Sequence, residues 1–176
     1  AFKKAISLNP NHFESYYNLG NSLNHQGKRD DAIKSFKKAI SINPNYFKAY
    51  NNLGNVLKNQ NKLDEAIKSY SKALSIKPDF AAARSQKLYQ QAQTSDWPAI
   101  ENDRSFLIDL GIIGQSIPPL SILSFEDAPA RHRLRSENYV REMFPQAALP
   151  LPAKPATMPQ RLRIGYFSSD YTEHPV

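Results

Sequence analysis

Asn11–Pro44 reads NHFESYYNLGNSLNHQGKRDDAIKSFKKAISINP, and Asn45–Pro78 reads NYFKAYNNLGNVLKNQNKLDEAIKSYSKALSIKP. The two segments align without a gap, and 20 of the 34 positions are identical. AFKKAISLNP, the ten residues before them, matches the end of each copy. Pro10, Pro44 and Pro78 therefore fall at one phase. A fixed period of this length is the signature of a repeat architecture.

Each copy divides into two helical patterns. Phe13, Tyr16, Leu19, Gly20 and Leu23 recur at helical spacing, and after Gly27 come Ala32, Ile33, Phe36, Ala39 and Ile40. The second copy repeats this with Phe47, Tyr50, Leu53, Gly54 and Leu57, then Ala66, Ile67, Tyr70, Ala73 and Leu74. Such stripes have a period near 3.6 and mark amphipathic helices. Gly27 suits the left-handed residue that ends a helix, and Asn61 is the next-best choice there. Asp30 and Asp64 suit the start of the second helix, whose dipole favours negative charge. Pro44 and Pro78 stop that helix, and Asn45 and Asp79 are expected to cap the next. Small residues at Gly20, Ala32 and Ala39 let the paired helices approach closely. The aromatic stripe is read as core rather than as a cofactor site. One pair cannot bury its apolar face alone, so the pairs must stack into a solenoid.

Past Asp79 the pattern decays. Two further helices are expected over about 80–94 and 97–111, the second capped by Ser95 or Asp96 with Pro98 in its first turn. Residues 79–112 read as a degenerate terminal repeat that covers the open end of the stack. Gly111–Gly114 is too weak for a phosphate loop. A connecting segment, 113–144, carries a helix over about 128–143 with Asp127 as N-cap. Its Arg131, Arg133, Arg135 and Arg141 are interrupted by Glu137 and Glu142, and are read as solvated helix surface. Residues 145–160, PQAALPLPAKPATMPQ, hold five of the 13 prolines and read as an extended linker. In 161–176, RLRIGYFSSDYTEHPV, the run Leu162–Phe167 reads as a buried strand. In open α/β sheets the ligand crevice lies off the carboxyl ends of strands, which is where Ser168–His174 would fall.

Composition narrows the chemistry. The 176 residues contain no cysteine, which excludes disulfides, cysteine-ligated zinc, iron–sulfur clusters and a thiol nucleophile. This is compatible with a reducing cytoplasm, the expected location. No apolar run approaches the roughly 18 residues of a membrane helix, and no signal peptide is visible. The chain starts at Ala1 inside a helical pattern and stops at Val176 just past a motif, so it reads as a piece of a longer protein. Residues 1–78 hold 13 Lys and Arg against 5 Asp and Glu, whereas 79–176 hold 10 against 11. A basic array can attract acidic proteins, nucleic acid or a membrane surface. Lys34, Lys37, Lys38, Lys68 and Lys72 are not interleaved with aromatics, and are read as solvated helix faces. Neither a nucleic-acid nor a membrane partner is expected. His12, His25 and His132 show no metal-ligand spacing and are read as surface residues.

Period, small-residue positions, aromatic positions and terminal proline over 1–78 resemble the tetratricopeptide repeat. The fold expected is mainly α, a right-handed superhelix of helix pairs, followed by the first strand of an absent α/β domain. The resemblance implies a concave face, lined by the first helix of each pair, that binds protein or peptide substrates. The whole order is similar to the O-linked N-acetylglucosamine transferase family, including its SPINDLY-like members. That order is repeats, a terminal repeat with Asp96-Trp97, a segment opening with Glu126-Asp127-Ala128-Pro129, a proline linker, then RLRIGYFSSDYTEHPV. This resemblance implies a two-domain GT-B glycosyltransferase that moves a sugar, usually N-acetylglucosamine from UDP, onto Ser or Thr of proteins. It places His174, in the family's His-Pro motif, at the active site. It places Asn18 and Asn52 in a ladder that holds substrate backbone; an Asn-rich composition is the alternative source of these two residues. The chain itself is expected to bind no cofactor and to lack turnover, because the nucleotide-binding segments would lie beyond Val176. A non-enzymatic repeat scaffold for protein–protein interaction remains open as the second reading.

Overall fold

The computed structural model describes residues 2–145. All but the first residue of the linker expected over 145–160, the expected strand at 162–167 and His174 lie outside the described residues. Nine α-helices are described: α1 Phe2–Leu8, α2 Phe13–His25, α3 Arg29–Ile42, α4 Phe47–Lys58, α5 Leu63–Ile76, α6 Ala81–Gln93, α7 Trp97–Asn102, α8 Arg104–Leu107 and α9 Pro129–Met143. A 3-10 helix, Pro119–Ile122, precedes α9.

The helix pairs follow the sequence period. α2 packs on α3 and α4 on α5, while α3 and α5 each also lie against the first helix of the next unit. Helix pairing is tight because Gly20 and Gly54 carry no side chain. A Cβ on Gly20 would stand 2.7 Å from Phe36 Cε1, and one on Gly54 2.6 Å from Tyr70 Cε1. Ala32, Phe36, Ala39, Val56, Ala66, Tyr70 and Ala73 are all buried in the core of the array. Aromatic edges join the units. Phe13 meets Tyr46 and Phe47 meets Phe80, each with ring centroids 4.9 Å apart.

Gly27 and Asn61 adopt positive φ, 74° and 60°, as expected. Ser95, a further 34 residues on, does the same at 57°. The third unit therefore keeps the turn geometry although its sequence has drifted. Asp30 and Asp64 fall in the first turns of α3 and α5. The expected caps differ. α4 starts after Tyr46 and α6 after Phe80, with no side-chain cap at either. Asn45 is instead held in a turn, its N–H donating to Asn43 Oδ1 at 3.1 Å. Asp79 likewise lies outside α6, one residue before its N-cap.

The expected helix over 97–111 is capped by Asp96, whose carboxylate accepts from Ala99 N at 3.3 Å, with Pro98 in the first turn. It breaks at Asp103. That carboxylate is pulled back onto α6, accepting from Arg84 Nη1 at 3.1 Å and Lys87 Nζ at 2.6 Å. A second core then forms from Leu88, Ile100, Leu107, Leu110, Ile117 and Ile122, closing the end of the stack.

α9 corrects two expectations. Its N-cap is Ala128 rather than Asp127, with no side-chain cap. Arg135 is not solvated surface but wholly buried. It donates from Nε to Leu110 O at 2.8 Å, from Nη2 to Leu107 O, and pairs with Glu126. Arg131 donates to the same carboxylate from Nε at 2.9 Å. His132 is half-buried and contacts Glu126 O through Nε2 at 2.9 Å. A guanidinium has five donors, enough to satisfy the loop carbonyls that no helix or strand would otherwise pair.

Candidate functional site

The first helices form the inner side of the array. α2 touches α4 and α4 touches α6, whereas α3 and α5 are wedged outside between them. Helices that approach on one side and splay on the other curve the stack, and the close side becomes the groove. Residues 18, 52 and 86 occupy one register on α2, α4 and α6, and all three are side-chain amides: Asn18, Asn52 and Gln86.

Asn18 is exposed on α2. Asn52 is half-buried and tied between units. Its Nδ2 donates to Asn21 Oδ1 at 2.7 Å and to Tyr17 OH at 3.1 Å, and its Oδ1 accepts from Asn51 Nδ2 at 3.1 Å. An amide offers two donors and two acceptor lone pairs. Asn52 thus keeps one lone pair for a ligand, while Asn18 keeps its whole amide. Gln86 Oε1 accepts from Lys58 Nζ at 3.1 Å.

A difference of one hydroxyl between the repeats explains this network. In the second unit Tyr70 OH donates to Asn55 Oδ1 at 2.8 Å. In the first unit the equivalent residues are Phe36 and Asn21. Phe36 has no hydroxyl, so Asn21 Oδ1 is left to take Asn52. Tyr70 is fully buried, and burial pushes its hydroxyl well above the ordinary phenol range, so it stays a donor.

Tyr17, Asn21, Asn51 and Asn55 belong to this face and were not singled out by sequence. The signal was present at Asn21 and Asn55, identical in both copies one helical turn beyond the amide register. Asn51 is 8% exposed, and its Oδ1 has no hydrogen-bond partner. A buried acceptor without a donor is costly, so it calls for a water or a ligand N–H or O–H. Asn51 lines a cavity of about 140 Å³ with Asn55, Ser85, Gln86 and the Ser116–Pro118 loop, which bounds the groove at the third unit. Among the described residues no three His, Asp or Glu side chains cluster as a metal site would require.

Sequence models of the tetratricopeptide repeat match residues 1–34, 20–61 and 47–80. No curated protein matches the chain. Among solved structures, MamA 41-end from Desulfovibrio magneticus RS-1 superposes with a TM-score of 0.55 at 21% identity, covering 62% of each chain. The MamA RS-1 ArsTM double mutant gives 0.56 at 21% identity, covering 62% of this chain and 61% of that one. A crystal structure of MamA protein gives 0.53 at 22% identity over 85% of this chain and 67% of that one. The chain thus spans about three-fifths of the length of the first of these. At such identity the likeness concerns the fold. It agrees with the helix pairs in making the array a tetratricopeptide-repeat solenoid, an architecture whose extended concave surface serves protein–protein interaction.

Proposed function

We propose that this tetratricopeptide-repeat array is the substrate-recruiting arm of a protein O-glycosyltransferase, holding an extended peptide in the first-helix groove. The observation that carries the peptide-binding part is the buried, unpartnered Asn51 Oδ1 beside a register of amides at Asn18, Asn52 and Gln86. Amides of this kind grip peptide groups, which are themselves one donor and one acceptor per residue. Apart from Lys58, which is bound to Gln86, the register itself is uncharged, so the grip would be tolerant of sequence, as a recruiting arm for many clients requires.

The transferase part rests on the resemblance of RLRIGYFSSDYTEHPV, residues 161–176, to the start of the O-linked N-acetylglucosamine transferase catalytic region. On that reading 145–160 is the linker and 161–176 opens the catalytic domain. The parent would take a UDP-sugar, with His174 beside the reacting groups. The 176 residues alone would bind protein and transfer nothing. A non-enzymatic scaffold is the second reading, favoured by the fact that all three family matches fall within residues 1–80.

The test compares this chain with the full-length gene product, each incubated with labelled UDP-N-acetylglucosamine and an acceptor protein. Label transferred by the gene product alone supports the transferase. Transfer by neither, with the repeats folded and still binding peptide, establishes the scaffold. Binding is read separately by titrating a library of extended peptides against the chain and its Asn18→Ala/Asn51→Ala variant, which should bind about tenfold more weakly, the loss of one to two hydrogen bonds.

A further inference from the structure

The outer face of the second helices carries a row of lysines in the register of the repeat. Lys4, Lys38 and Lys72 are spaced by 34 residues on α1, α3 and α5, and Lys34 and Lys68 share a second register one turn earlier. All five are exposed. At 100° per residue they lie opposite Ala32, Phe36 and Ala39 and their counterparts, which are buried. From Ala32 to Pro44 and from Ala66 to Pro78 there is no Asp or Glu; the acids of α3 and α5 sit in their first turns, at Asp30, Asp31, Asp64 and Glu65. One row member has a carboxylate in reach among the described residues, Lys34 with Asp31 at 3.3 Å, with side chains 79% and 57% exposed. Such a pair contributes little.

The same face offers little else. Ser7, Ser41 and Ser75, in register beside the row, turn their hydroxyls onto their own helices, donating to the carbonyls of Lys4, Lys38 and Lys72 at 2.8 Å. α3 and α5 present no exposed large apolar side chain, and α1 adds one beside Lys4, Leu8 at its end. A folded protein partner needs an apolar centre to its interface. Nucleic acid is held by Lys and Arg together with hydrogen-bonding side chains, aromatic faces and helix N-termini, and here the lysines stand without such companions while the N-terminal turns of α3 and α5 carry acids that repel phosphate. An array of point charges with no directional groups and no apolar centre matches a diffuse sheet of negative charge. We infer that this face adsorbs the array electrostatically to an anionic membrane surface, with the first-helix groove turned away from the lipid and left open. Register and missing carboxylates thus change the reading of these lysines as mere solvation. No described helix is long and apolar enough to cross a membrane, so the contact is superficial.

Co-sedimentation with phosphatidylcholine vesicles carrying about one-third phosphatidylserine tests this. Binding should appear at low salt, weaken steeply as salt rises, and be absent with phosphatidylcholine alone. Replacing Lys4, Lys38 and Lys72 by Gln should weaken it on the order of five-fold per lysine, about a hundred-fold together. The control variant Arg104→Gln/Arg133→Gln/Arg141→Gln loses the same charge elsewhere and should retain most of the binding. Circular dichroism establishes that both variants are folded. Three results overturn the inference: no phosphatidylserine-dependent sedimentation at low salt, equal losses in row and control variants, or binding of duplex DNA or RNA through the row tighter than that of the vesicles.

Discussion

Gly54 can be no other residue without a rearrangement. In an ordinary helix, Gly→Ala stabilises by roughly 0.5–1 kcal/mol because the unfolded chain loses freedom. Here the added methyl would stand 2.6 Å from a ring that is fully buried and cannot swing away. Overpacking of that kind costs about 1–3 kcal/mol, so the clash wins. Chemical denaturation of Gly54→Ala should show a net loss, and pairing it with Tyr70→Leu should return part of it. Gly27→Ala offers the contrast. Its Cβ would meet nothing within 4 Å, yet its φ of +74° is a left-handed conformation. The loss there, about 1–2 kcal/mol, would come from the backbone alone. Both roles were legible: a Leu-Gly pair inside a helical stripe means close approach, and a lone Gly between two stripes means a turn. Asn52 was legible only in position. Its partners depend on Phe36 lacking a hydroxyl that Tyr70 has, a three-dimensional relation across two units that no single-residue propensity carries.

At the scale of elements, α9 is locked to the terminal unit by Arg135 and Glu126. The sequence placed this helix within a residue of its observed span but misread its arginines. A charged residue on a helix is usually solvated, and spacing alone does not reveal that Leu107 and Leu110 would present carbonyls to it. The helix over 97–111 failed for a similar reason, since the pull of Arg84 and Lys87 on Asp103 comes from α6. Burial alone would push the Glu126 carboxyl up. Hydrogen bonds from Arg131 and Arg135, and their charge, outweigh it and hold the group below its usual 4.5. A carboxyl with a lowered folded-state value stabilises the fold above the unfolded-state value, and that stability is lost as pH falls through the folded one. The melting temperature should therefore drop on acidification below about 4.5 by more in the native chain than in Glu126→Gln. A parallel fall in both would show that other carboxylates govern the acid limb. Arg135→Ala should cost about 3 kcal/mol or more at neutral pH, because it leaves the carbonyls of Leu107 and Leu110 without their donor, empties a buried site and leaves Glu126 with Arg131 alone.

Across the whole molecule the solenoid is a series of like contacts. Phe13 meets Tyr46 at one junction and Phe47 meets Phe80 at the next, with the same centroid distance of 4.9 Å. Deleting residues 45–78 would leave Phe13 facing Phe80 across a junction of the same kind. The shortened chain should therefore stay helical and unfold cooperatively, though with lower stability, because one interface is gone. Thermal unfolding followed by circular dichroism reads this directly, and a non-cooperative melt would mean that the junctions are not interchangeable. This interchangeability has a consequence in heredity. A gene change that adds or removes one 34-residue period adds or removes a whole number of codons. Each such change would alter the arm by an entire unit without shifting the reading frame or spoiling a joint. The length of the arm is then free to vary between generations, while the terminal core that seals its end is inherited intact.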